Sequence, residues 1–142
     1  MKKLALVASI LLSIGAATAS ETIEVYKSEY CGCCQKWVDY MQQQGFELNV
    51  VIQNNLSKLK EQAGVTPAAA SCHTAFVGGY FIEGHVPAKD VQRLLDERPN
   101  IKGIAVPGMP MGSPGMEGNR KDAYSVIAVH HDGQTSQFSH YH

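Results

Sequence analysis

Residues 21–38 read ETIEVYKSEYCGCCQKWV, and the fold is decided within this run. Its first seven positions alternate, with Ile23 and Val25 separated by polar side chains, which is the two-residue period of a strand. Cys31, Cys33 and Cys34 follow, and Trp37, Val38 and Met41 then recur at helical spacing through residues 35–44 until Gly45 stops the helix. Three thiols therefore fall where a strand ends and a helix begins. Free main-chain N–H groups and the positive end of the helix dipole at such a point favour thiolate over thiol. A thiolate is both the nucleophile of disulfide exchange and a ligand for soft metals, so the placement permits two chemistries.

Outward from this run, residues 46–52 predict a second strand with Leu48, Val50 and Ile52 on one face, and Asn54-Asn55 opens a short helix through Lys60 that Gly64 closes. Residues 74–77 and 80–82 predict a hairpin around Gly78-Gly79. Pro87 precedes a helix over residues 88–97 with an apolar stripe of Val91, Leu94 and Leu95, ended by Pro99. Residues 101–119, rich in Gly, Pro and Met, predict irregular structure. Residues 124–129 predict a further strand, and 134–141 return beside it after a turn at Asp132-Gly133. A strand leading into Cys-x-x-Cys at a helix start, followed by this order of elements, is the thioredoxin-like α/β pattern. It predicts a mixed central sheet flanked by helices, with the Gly/Pro/Met-rich loop and a C-terminal β-hairpin as additions. The first two strands run parallel through a helical crossover and the next two antiparallel.

The chain begins with Lys2 and Lys3, an apolar run over residues 4–12 and the small residues Ala17-Thr18-Ala19. That is the pattern of a secretory signal peptide over residues 1–19, with a retained anchor as the alternative. Residues 20–142 are then expected to form one domain. No later stretch approaches the ~20 apolar residues of a membrane helix. The leader carries two of the 12 lysines and arginines and none of the 13 acidic residues, so the remainder is net negative, with its cations scattered. This excludes a nucleic-acid surface and a polybasic membrane patch.

All four cysteines lie beyond the expected cut, where export lets disulfides persist. A stapled scaffold spreads its cysteines to close long loops, so three in four positions argue for chemistry over stapling. A bond between adjacent Cys33 and Cys34 is strained, and a Cys31–Cys34 pair is easier. Cys72 stands directly before the third predicted strand, a point that faces the start of the first helix in a thioredoxin-like arrangement, so four sulfurs can converge. A redox enzyme needs two thiols; a cluster of soft metal ions explains the other two. The alternatives are two structural disulfides, Cys31–Cys34 with Cys33–Cys72, and a purely redox Cys31/Cys34 site.

Softer donors and imidazoles extend the candidate set. Residues 107–116 hold Met109, Met111 and Met116 in a loop without helical or strand period, and thioether sulfur suits Cu(I). His85 lies in a turn and is free to ligate. His73, if already in a strand beside Cys72, points to the opposite face, which counts against it. His130, His131, His140 and His142 on the last hairpin could hold a divalent ion only opportunistically, as a solvated tail. Zinc fits poorly because its four-cysteine sites use two separated pairs. Oxygen-loving ions lack an acidic cluster, and iron–sulfur centres lack their usual spacings.

Taken together and in order, Cys31-Gly32-Cys33-Cys34 with Trp37, Ser71-Cys72-His73-Thr74-Ala75, Glu83-Gly84-His85-Val86-Pro87-Ala88, Pro107-Gly108-Met109-Pro110 and Gly112-Ser113-Pro114-Gly115-Met116-Glu117 resemble the CopG-type copper-resistance proteins, an exported bacterial family. The resemblance runs from about residue 23 to residue 138. It implies copper, as Cu(I), in a thiolate-bridged multinuclear cluster held by Cys31, Cys33, Cys34 and Cys72, with His85, Met109 and Met116 as further candidate ligands. It also implies a periplasmic role in copper tolerance, extending to copper redox conversion, with a copper-handling or redox protein as candidate partner. A thiol–disulfide oxidoreductase acting on proteins and a copper chaperone without redox turnover are the rival readings. Thr66 stands where proline is expected directly after Val65, so Pro67 is given no site role, and the histidine-rich C-terminus lies outside the shared pattern.

Overall fold

The computed structural model describes residues 21–142; the expected signal peptide over residues 1–19 lies outside them. Seven strands form one mixed sheet: β1 (Ile23–Lys27), β2 (Leu48–Ile52), β3 (Thr74–Val77), β4 (Tyr80–Glu83), β5 (Gly103–Ala105), β6 (Tyr124–Val129) and β7 (Thr135–Tyr141). Their spatial order is β2-β1-β3-β4-β5-β6-β7. Among the described residues three helices accompany them: α1 (Gly32–Gln43), α2 (Ser57–Ala63) and α3 (Ala88–Glu97). β1 and β2 are parallel across the α1 crossover, and β3 is antiparallel to both β1 and β4. The α/β architecture with a mixed central sheet is thus as the sequence predicts, and its first four strands are compatible with a thioredoxin-like unit.

The faces of the sheet follow from side-chain alternation. Ile82 and Ile104 join the main core with Ile23 and Val25 from β1, Trp37, Val38 and Met41 from α1, and Val91 and Leu94 from α3. Their strand neighbours Phe81 and Ala105 turn the other way and pack with Val65, Ala69 and Val129 in a smaller cluster. The predicted apolar spacing of α1 and α3 is therefore what fastens them to one face.

Two expectations are corrected. The segment over residues 101–119 is not irregular throughout, because Gly103–Ala105 forms β5, parallel to β4 through α3, which makes a second βαβ unit. The strand opens on a glycine because a Cβ at Gly103 would stand 2.2 Å from the Phe81 carbonyl oxygen. Helix α1 starts at Gly32, not near Gln35, with Cys31 as its N-cap residue. Leu48, Val50 and Ile52 share one face of β2 as expected, but Ile52 stands at the end of this edge strand and is 54% exposed.

Candidate metal centre

Cys31, Cys33 and Cys34 arrive through the tight passage from β1 into α1. Cys31 caps the helix and is half-buried, while Cys33 and Cys34 sit in the first turn, with Cys34 fully buried. Cys72 enters from the segment before β3, which lies beside β1 in the sheet. The four sulfurs all lie within 4.8 Å of one another. A thiolate–metal bond of about 2.3 Å, as zinc has, allows two sulfurs on one ion to be up to about 4.6 Å apart. The set is thus at the scale of shared ligation. Cys31 and Cys34 are joined in a disulfide, Cα–Cα 5.3 Å, and Cys33 and Cys72 are free thiols. Cys31 Sγ is 3.5 Å from Cys33 Sγ. The molecule therefore displays the oxidised form of the centre, and two electrons would raise its thiols from two to four.

His85 follows β4 and is fully buried. Its Nδ1 lies 2.7 Å from the Pro114 carbonyl oxygen, and a carbonyl can only accept, so Nδ1 carries the proton. Nε2 therefore presents a lone pair, and it faces Cys72 Sγ at 3.1 Å. A carbonyl that fixes tautomer and ring orientation is the usual support behind a metal-binding imidazole. Burial holds the His85 pKa below its ordinary value, against the opposing pull of the Pro114 carbonyl and Glu117, so the ring is neutral at neutral pH. Burial also pushes the Cys72 thiol up to about 11; the Ser71 hydroxyl works against the rise and the Cys33 sulfur adds to it. Cys72 is hence a thiol until a metal displaces its proton.

His73 is the residue that the sequence reasoning misplaced. Residues 72 and 73 precede β3, so strand alternation does not apply to them. His73 Nδ1 lies 3.4 Å from Cys72 Sγ, and Cys72, His73 and His85 bring donor atoms within 4.8 Å of one another. The ring is fully buried between Trp37 (centroids 4.6 Å) and His85 (5.1 Å). Burial, followed by the charges of His85, Lys60 and Lys27, holds its pKa well below the usual imidazole range. Its Nε2 has no hydrogen-bond partner. An orphaned buried nitrogen costs about 1–3 kcal/mol, and an imidazole kept at that cost with its other nitrogen facing the Cys72 sulfur fits a metal-binding pocket.

The methionine loop is fastened over this centre. Gly108 N–H donates to the Ala70 carbonyl and Ser71 Oγ donates to the Gly108 carbonyl. Gly115, at φ +88°, lies so close to the start of α1 that a Cβ there would stand 2.9 Å from the Cys33 carbonyl oxygen and 3.1 Å from His85 Nδ1. Met109 Sδ reaches 3.9 Å from Cys33 Sγ while remaining 50% exposed, which places a thioether at the rim. Met116 is half-buried, and its carbonyl accepts from Gly112 N–H.

A further residue, quoted above only as part of a motif, holds the centre together. Glu83, fully buried on β4, accepts from Ser71 N–H (2.7 Å), from Thr74 Oγ1 (2.6 Å) and from Lys60 of α2. Lys60 also donates to Thr74 Oγ1 at 2.9 Å. One carboxylate thus ties the segment carrying Cys72 to the strand that leads into His85.

The distant histidines remain apart from this site. His130 Nε2 pairs with Ser136 Oγ and His131 Nε2 with Asn100 Oδ1, both exposed. Among the described residues no helix is long and apolar enough to cross a membrane.

Similarity to known proteins bears on this geometry. A family model described as a protein of unknown function, DUF411, matches residues 69–116. Two solved structures named "Copper resistance protein copG", form 2 and form 1, are each 42% identical to the chain, with TM-scores of 0.83 and 0.81. Each alignment covers 87% of this chain, together with 100% and 98% of theirs. No curated protein matches the sequence.

Proposed function

This chain belongs to the CopG family of copper-resistance proteins, and on that footing we propose that it is an exported, periplasmic protein holding several Cu(I) ions in a cysteine-thiolate cluster. Export rests on the N-terminal pattern of residues 1–19. The observation that carries the cluster is the convergence of four sulfurs within 4.8 Å, with the His85 Nε2 lone pair aimed at Cys72. Soft sulfur donors select Cu(I), and imidazole accepts copper as well. Cys31, Cys33, Cys34 and Cys72 are the thiolate ligands; His85 and His73 complete the set on the Cys72 side, and Met109 guards the Cys33 side.

Copper conversion follows from the same pair of sulfurs. Two Cu(II) ions each take one electron from the Cys31/Cys34 dithiolate, giving two Cu(I) ions and the disulfide. In reverse, two Cu(I) ions supply the two electrons that open it. A thiol–disulfide oxidoreductase acting on proteins is the second reading, favoured by a disulfide with one half-buried and one fully buried sulfur. A chaperone would bind copper without this electron exchange.

The distinguishing experiment is an anaerobic Cu(I) titration, against a competing chelator, of the reduced protein and of the protein with its disulfide closed. The reduced chain is expected to bind more than one copper, and the closed chain about one or none. Equal binding by both forms, with full disulfide-reductase activity in metal-free protein, would replace the copper reading with the oxidoreductase.

A further inference from the structure

Strand β7 is an edge of the sheet and is pinned from its inner side. Asp90 of α3 is buried and accepts from both Ser139 Oγ (2.8 Å) and Tyr141 OH. Tyr141 stacks on Tyr124 of β6 at 4.9 Å, and Arg93 donates to the Phe138 carbonyl at 2.8 Å. With Ser139 and Tyr141 facing inward, His140 falls on the outer side of the strand, and both His140 and the following His142 are exposed. Their rings meet edge to face with centroids 4.5 Å apart. His140 Nδ1 is 2.8 Å from Ser125 Oγ on the neighbouring strand, where Ser125 pairs with His140 in the register. These histidines are solvent-exposed, as expected, but His140 stands on an anchored strand and His142 directly follows it.

We propose that His140 and His142 form a second metal site, which takes a divalent first-row ion and copper(II) by preference. With Nδ1 of His140 engaged by Ser125, its Nε2 is left to ligate. A small side-chain rotation brings the exposed His142 ring alongside, and water completes the coordination. Two imidazoles without sulfur suit Cu(II), which heads the divalent series for nitrogen donors. The site differs from the thiolate centre in chemistry and in place. Strand β7 lies four strand spacings from β3, roughly 19 Å at about 4.8 Å each. It needs no cysteine, so it stands independently of the copper cluster.

The test uses the Cys33→Ser/Cys72→Ser variant, which removes the free thiols and keeps the Cys31–Cys34 disulfide. Copper(II) titrated into it is expected to give one bound ion per chain with nitrogen hyperfine structure in the electron paramagnetic resonance spectrum. His140→Ala or His142→Ala in that background should weaken binding at least tenfold, because the chelate is lost. Ser125→Ala should weaken it less, and His130→Ala and His131→Ala not at all. Should the variant misfold, substoichiometric Cu(II) added to the disulfide-closed protein with Cys33 and Cys72 alkylated is expected to broaden the amide signals of residues 124–126 and 140–142. Unchanged Cu(II) affinity after His140→Ala, or broadening centred on other residues, would overturn the proposal.

Discussion

Cys72→Ser is expected to cut copper binding by the reduced protein to about one ion per chain or fewer, while leaving the fold intact and Cys31 and Cys34 still able to pair on oxidation. Cys72 is the one sulfur that does not come from the strand–helix junction, and it alone links the trio to His85 and His73. A serine hydroxyl is a hard oxygen that does not replace a bridging thiolate for Cu(I). The structural cost is small because the side chain is half-buried and a hydroxyl nearly matches the thiol in shape. Copper per chain by elemental analysis, circular dichroism and a free-thiol count together read this result. Undiminished copper binding in a folded Cys72→Ser protein would mean that the fourth sulfur is not a ligand.

Glu83→Ala is expected to have the largest effect on stability. It deletes the acceptor of three donors from separate parts of the chain and leaves Lys60, only 17% exposed, facing Thr74 without its counter-charge. Removing one partner of a buried ion pair typically costs about 3–5 kcal/mol, which for a domain of this size lowers the melting temperature by roughly 10–15 °C. Because the same carboxylate anchors Ser71 N–H, the loss also frees the segment that positions Cys72. Copper binding should therefore weaken even at temperatures where the variant remains folded. A melting temperature within about 1 °C of the wild type would show that the network contributes nothing.

Much of the fold was legible because its elements announce themselves locally. The alternation of Ile23 and Val25, the helical spacing of Trp37, Val38 and Met41, and the Gly78-Gly79 hairpin each depend on neighbours in the chain. Strand β5 did not, since three residues beginning with glycine carry no period, and Gly103 is intelligible only against Phe81 of a different strand. The centre divides in the same way. The three clustered cysteines and Cys72 were visible from spacing and topology. His73 was discounted by an alternation rule that holds only inside a strand, and His73 precedes one. Its adjacency to Cys72 was the available signal. Glu83 carried no signal of its role, because the partner that neutralises it, Lys60, is 23 residues away.

The central claim is that four cysteine sulfurs share copper. Copper K-edge X-ray absorption on the reduced, copper-loaded protein tests it most directly. A sulfur-dominated first shell, with copper–copper scattering from ions bridged by common thiolates, is the predicted spectrum. A first shell of nitrogen and oxygen, or a lone copper with two sulfurs and no copper neighbour, would contradict it.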